Sequence, residues 1–227
     1  MSNVLVARRE ARRRRKIRVR KVWIGLALIL ILGAVLYLKY YAFPEESPFS
    51  PQEKDTVEAL SDEIVPGKMP MFFQYDRRWK NETYGDGTME FNGCGPTCLS
   101  MVLCGLNGTA EYDPLTVAHL ADKWGYYAEG SGSLWSLMTE GAEKLGLTAQ
   151  EVVFDESNIR QELLAGRPII CTVGPGDFTT TGHFILLCEI DENDMVTVHD
   201  PNSEERSKRL WNLEKLMPQI KNLWSYQ

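Results

Sequence analysis

Leu99, Val102, Leu103 and Leu106 recur at i, i+3, i+4 and i+7, and this spacing predicts an amphipathic helix over about 96–104. Pro96 suits its first turn, and Asn107-Gly108 marks its end. Asp113-Pro114 predicts the cap and first turn of a second helix reaching about Trp124. Ser133 reads as the cap of a third helix ending at Gly146, and Ser157 as the cap of a short fourth that stops at Gly166. Residues 148–153 predict a strand, and the apolar runs 168–173, 183–190 and 195–199 predict three more. Helices come first and sheet later, so the expected class is α+β. The folded part is expected over residues 68–227, opening near Met69 with Met71-Phe72-Phe73-Gln74-Tyr75 and a polar loop that carries Trp79 and Tyr84-Gly85.

Upstream the pattern changes. Residues 22–38 are apolar and uncharged, a length at the lower end for a membrane-spanning helix. Trp23 stands at one end, and Tyr37, Tyr40 and Tyr41 at the other, as interfacial aromatics do. The basic run 8–21 lies just ahead of it. We read residues 1–21 as a basic cytosolic tail and 22–41 as a single-pass transmembrane anchor. The positive-inside rule then places the C-terminal domain outside the cell. A cleaved signal peptide is the alternative; the run is long for an h-region, and no small-x-small site follows it. Residues 42–67, rich in Pro, Ser, Glu and Asp, read as an acidic tether that could hold a short helix near 57–64.

Charge sharpens this division. The chain has a formal net charge of −6, but residues 1–40 hold eleven Lys/Arg and one acid, Glu10. The remainder carries 14 bases and 30 acids, about −16. So acidic a domain argues against nucleic acid as its partner. The five cysteines (Cys94, Cys98, Cys104, Cys171 and Cys188) are an odd number, which fits one reactive thiol plus four buried free ones. With no C-x-x-C and no H-x-x-x-H, neither a metal nor another cofactor is expected.

The candidate chemistry starts at Gly93-Cys94-Gly95-Pro96-Thr97, which puts a cysteine where a helix begins. The first amide N–H groups of a helix lack intrahelical partners and the dipole is positive there, so a thiolate is stabilised. A hairpin supplies its partners. If Asp191 faces Asp194 across the turn, Asp200 faces Ile185 and lies diagonal to His183 on the same side of the sheet. His199 then faces Leu186 on the other side. A turn of two or four residues gives this relation, and a three-residue loop breaks it. His199 and the mid-helix His119 read as ordinary residues, and Trp79, Tyr84, Trp124 and Trp135 as core or cleft wall.

Taken together, Gln74-Tyr75-Asp76-x-x-Trp79, Tyr84-Gly85, Gly93-Cys94-Gly95-Pro96-Thr97, Gly182-His183-Phe184 and His199-Asp200-Pro201 resemble the C39-like family of papain-fold cysteine peptidases. The resemblance covers roughly residues 68–205. It implies a papain-like fold with Cys94 as nucleophile, His183 as base, Asp200 as the group that orients it, and Gln74 as an oxyanion-hole donor. It also implies a peptide or protein substrate. The chain departs from bacteriocin-exporting C39 transporters in having no P-loop, no ATP-binding cassette and one candidate span. Their double-glycine leader specificity is therefore not part of what the resemblance implies. The expected function is a membrane-anchored extracellular cysteine peptidase. An amidase or transpeptidase using the same triad is one alternative, because acyl-enzyme chemistry does not fix the second acceptor. An inactive surface-binding module on the same fold is another. Nothing in the sequence specifies an oligomeric state.

Overall fold

A computed structural model describes residues 60–227. The expected cytosolic tail, the anchor over 22–41 and residues 42–59 of the expected tether lie outside the described residues. Among the described residues, no helix is long and apolar enough to cross a membrane. Leu60 is fully buried and packs in the same core as Phe72 and Trp79. The packed structure therefore starts upstream of Met69.

The class is α+β. Two helices lead, α1 (Cys94–Asn107) and α2 (Pro114–Lys123), followed by β1 (Ala149–Glu151) and α3 (Glu156–Leu164). The remaining strands of the main sheet are β2 (Ile169–Val173), β3 (His183–Ile190), β4 (Met195–His199), β5 (Leu210–Asn212) and β6 (Ile220–Tyr226). These six strands form one antiparallel sheet in the order β1-β6-β2-β3-β4-β5. Side chains alternate across it and feed two cores. Ile170, Leu186 and Trp224 pack on the side of α1. Ile169, Cys171, Ile185 and Leu187 pack with Ile159 and Leu163 of α3. Both faces of β3 are covered, which is why it reads as a continuous apolar run.

Helix α1 starts two residues earlier and ends three residues later than its apolar spacing predicts. It is also buried from Gly95 to Gly105, more like a central helix than an amphipathic one. Gly108 ends it in the left-handed region (φ 68°), its N–H bonded to the Cys104 carbonyl, a conformation that favours glycine. The Asp113 cap of α2 is as expected, Oδ1 accepting from Thr116 N at 2.7 Å.

Three expectations are corrected. No continuous helix spans 133–146: Ser133 is in a two-residue strand paired with 127–128, and a 3-10 turn (Trp135–Leu137) precedes a short helix, Glu140–Lys144. The Ser133 hydroxyl bonds to Tyr84 Oη (2.8 Å), not to a helix end. Helix α3 is capped by Asp155, whose Oδ1 accepts from Ser157 N, so Ser157 lies inside the first turn. Finally, β5 and β6 were not expected, and β6 inserts between β1 and β2. Lys221, Asn222 and Ser225 break its apolar run, so it lacks the signature of an interior strand.

The hairpin differs in detail. Asp191 N bonds to Met195 O (3.0 Å), closing a three-residue loop over 192–194, with Asp194 in the left-handed region at φ 59°. The Asp191 carboxylate accepts from Asn193 N and Met195 N, which favours this tight loop. Near the turn the pairs are Ile190 with Val196 and Glu189 with Thr197, one residue off the expected register. A β-bulge at Cys188 absorbs the extra residue, and beyond it Leu187 pairs with Val198 and Leu186 with His199. The loop and the bulge cancel, so the facing pairs at the functional end are those expected.

Candidate active site

Cys94 is the first residue of α1, after the short helical turn Met89–Asn92. Gly93 occupies the cap position with no side-chain bond, so no cap competes for the first N–H groups. The flanking glycines are required by close approach. A Cβ on Gly93 would lie 2.5 Å from the Met89 carbonyl oxygen, and one on Gly95 would collide with the Ser133 hydroxyl held by Tyr84. The motif thus packs the helix start tightly and leaves the cysteine half-buried.

His183 opens β3 and Asp200 follows the last residue of β4. His183 Nε2 lies 2.8 Å from Asp200 Oδ1, with His183 8 % exposed and Asp200 fully buried. The other ring nitrogen is not used by Asp200, and the Cys94 thiol is coupled electrostatically to the imidazole and to the backbone at Phe184 and Gly95. Burial alone would push the thiol up; the hydrogen bond and charge of His183 outweigh it and hold Cys94 below the ordinary thiol range. Burial would likewise push His183 down, yet Asp200 and Cys94 raise it to about 9. The two shifts describe one coupled pair that favours thiolate with imidazolium.

The remaining titratable groups contrast with this pair. Burial raises Cys98, Cys171 and Cys188 and lifts Cys104 to about 12. All five cysteines are free. His199 faces away, its Nδ1 3.2 Å from the Pro70 carbonyl oxygen, and burial pushes it below its ordinary value. His119 is exposed on α2. Among the described residues, no three His, Cys, Asp or Glu side chains group as a metal site.

Gln74 ties the two halves of the site together. Its backbone N–H donates to Pro201 O (2.9 Å), next to Asp200, and its buried side chain donates from Nε2 to Glu90 O (2.7 Å), four residues before Cys94. One amide hydrogen on Nε2 remains. Trp79 and Tyr84 are core residues. Trp135 is half-exposed and stands edge-to-face with Trp224, which stacks on Phe184 beside His183 and so walls that side.

Sequence reasoning missed Arg206. Its Nε donates to Asp200 Oδ2, while Oδ1 also accepts from Asn202 N at 2.8 Å. Ser207 Oγ accepts from Asp200 N at 2.9 Å. Burial raises Asp200, but His183 and Arg206 together hold it below the usual carboxylate range. Ser203, which caps the short helix Glu204–Ser207 that carries Arg206, was the one local signal.

The solved structures similar to the chain include two peptidases. A C39-like peptidase from Bacillus anthracis is 17 % identical, with 72 % of this chain and 96 % of that one covered at a TM-score of 0.47. The peptidase domain of Streptococcus ComA, a bi-functional ABC transporter, is 18 % identical, with 59 % and 89 % covered at a TM-score of 0.44. No curated relative matches. The model of the Peptidase_C39 like family matches residues 67–227, well over half of the chain. The chain therefore belongs to the Peptidase_C39 like family, and that membership suggests cysteine peptidase activity on a peptide substrate.

Proposed function

We propose that the chain is a membrane-anchored cysteine peptidase of papain-like fold that hydrolyses peptide bonds outside the cell. The observation that carries this reading is the line of contacts from Cys94 through His183 to Asp200 at a helix N-terminus. Cys94, as thiolate, attacks the scissile carbonyl carbon, and the C=O electrons move onto oxygen. The remaining Nε2 hydrogen of Gln74 and the Cys94 backbone N–H are assigned to that oxyanion. The His183 imidazolium gives its proton to the departing amine, leaving a thioester. Neutral His183 then takes a proton from water as the water attacks the thioester. The acid leaves and the thiolate–imidazolium pair is restored. Asp200 holds the ring in the tautomer and orientation these transfers need.

The test of activity is a peptide-library digest with the full-length chain and its Cys94→Ala variant. New peptide termini are expected from the wild type and none from the variant. Equal cleavage by both would overturn the nucleophile. The location rests on the basic run 8–21 before the apolar run 22–38. Protease added to intact cells should remove the domain. A protected domain with an exposed N-terminus would overturn the orientation, and recovery of a soluble form lacking residues 1–42 would overturn the retained anchor.

A further inference from the structure

Asp200 is fully buried and shared between two cations. His183 takes Oδ1 and Arg206 takes Oδ2, while Asn202 N fixes the Oδ1 side. Arg206 itself is held at several points. Its N–H bonds to Ser203 Oγ, its carbonyl accepts from Trp211 Nε1, and its guanidinium lies 6.0 Å from the Phe178 ring centroid. The other titratable groups that feel this pair are Tyr75, which also feels Glu204, and the buried Cys98 thiol.

Resting on the peptidase reading above, we propose that Arg206 is a positioning residue of the site. Its guanidinium keeps the Asp200 carboxylate ionised and turned so that Oδ1 is left for His183. It also supplies the fourth charge that makes Cys94, His183, Asp200 and Arg206 neutral together. A buried thiolate, imidazolium and carboxylate alone would carry a net negative charge out of water, which is costly. With Arg206 the four charges alternate in sign, so each has an opposite neighbour. Arg206 acts on the nucleophile and its base through the Asp200 carboxylate and through its own charge, and need not touch substrate.

A purely structural staple would alter stability and leave the ionisation of Cys94 and His183 where it is. The test is the rate of Cys94 carboxymethylation by iodoacetate against pH in the full-length chain, followed by mass mapping. The wild type should give a bell, rising as the thiolate forms and falling as the imidazolium that attracts the anionic reagent is lost. Arg206→Gln removes a positive charge and should move both limbs up by about half a pH unit or more. Arg206→Lys keeps the charge and should return both limbs most of the way. A folded Arg206→Gln with wild-type limbs would overturn the proposal and leave the peptidase reading intact. A wild-type rate that climbs like an ordinary thiol's would sink that reading and the proposal with it. If Arg206→Gln does not fold, Asp200→Asn is compared with Asp200→Asn/Arg206→Gln, in which no buried carboxylate is stranded. The basic limb should lie about half a unit higher in the double variant, because Asp200→Asn leaves Arg206 unneutralised beside His183. Coincident limbs would overturn the proposal.

Discussion

His183→Ala is expected to lower kcat for peptide hydrolysis by on the order of 10⁴, while His199→Ala keeps most of the activity. The two histidines lie on neighbouring strands and are both largely buried, yet their surroundings differ. His183 is bonded to Asp200, is coupled to Cys94 and is raised to about 9. His199 meets a backbone carbonyl on the opposite sheet face and is pushed down, so it is neutral at neutral pH. Only His183 can give a proton to a leaving amine. Asp200→Asn should be milder than His183→Ala, because it removes the orienting group and not the proton carrier. The sign of the alkaline limb follows from the same geometry. The imidazolium is present below about 9 and lost above it, so wild-type turnover should fall as pH rises through that value. Steady-state kinetics of the three variants, each checked for folding by circular dichroism, measure this. Loss of activity in folded His199→Ala with retention in His183→Ala would overturn the assignment of the base.

Cys94 should alkylate at least ~10³ times faster than any other cysteine near neutral pH. At pH 7, a thiol raised to about 12 is ionised to about one part in 10⁵, which describes Cys104. Cys98, Cys171 and Cys188 are likewise raised by burial and have no cationic partner. Cys94 is held down by His183 and is half-buried, whereas the other four are buried. Brief iodoacetamide treatment of the folded chain followed by peptide mass mapping reads this directly. Uniform labelling, or labelling of Cys171 first, would refute it. A chain that labels selectively at Cys94 but cleaves no peptide would instead favour transfer to another acceptor.

How far these expectations were legible depends on how local each feature is. Gly93-Cys94-Gly95-Pro96-Thr97 is a contiguous run whose helix-start chemistry follows from backbone rules, and Cys94 is where those rules put it. The His183–Asp200 pairing was legible because side chains alternate with period two along a hairpin. Its derivation assumed a turn other than the one formed: the Asp191 carboxylate draws in a three-residue loop, and the bulge at Cys188 restores the count. Nothing in the run 183–190 announces that bulge. Ser133 looks like a cap by composition, but its hydroxyl is claimed by Tyr84, 49 residues away in sequence.

The N-terminal half of the reading, the basic run and the apolar segment ahead of residue 60, rests on sequence alone. By itself the sequence determined the class and the helix that presents the cysteine, while the face shared by His183 and Asp200 needed the bulge at Cys188 as well. The first two follow from periodicity and from residues whose backbone preferences are intrinsic. Only the tertiary structure decided that the C-terminal strand β6 fills the middle of the sheet and that Arg206 completes the environment of Asp200. A strand finds its neighbours through the surfaces it can cover, and a buried carboxylate finds its cation through the path of the whole chain. Neither relation is written in the spacing of nearby residues.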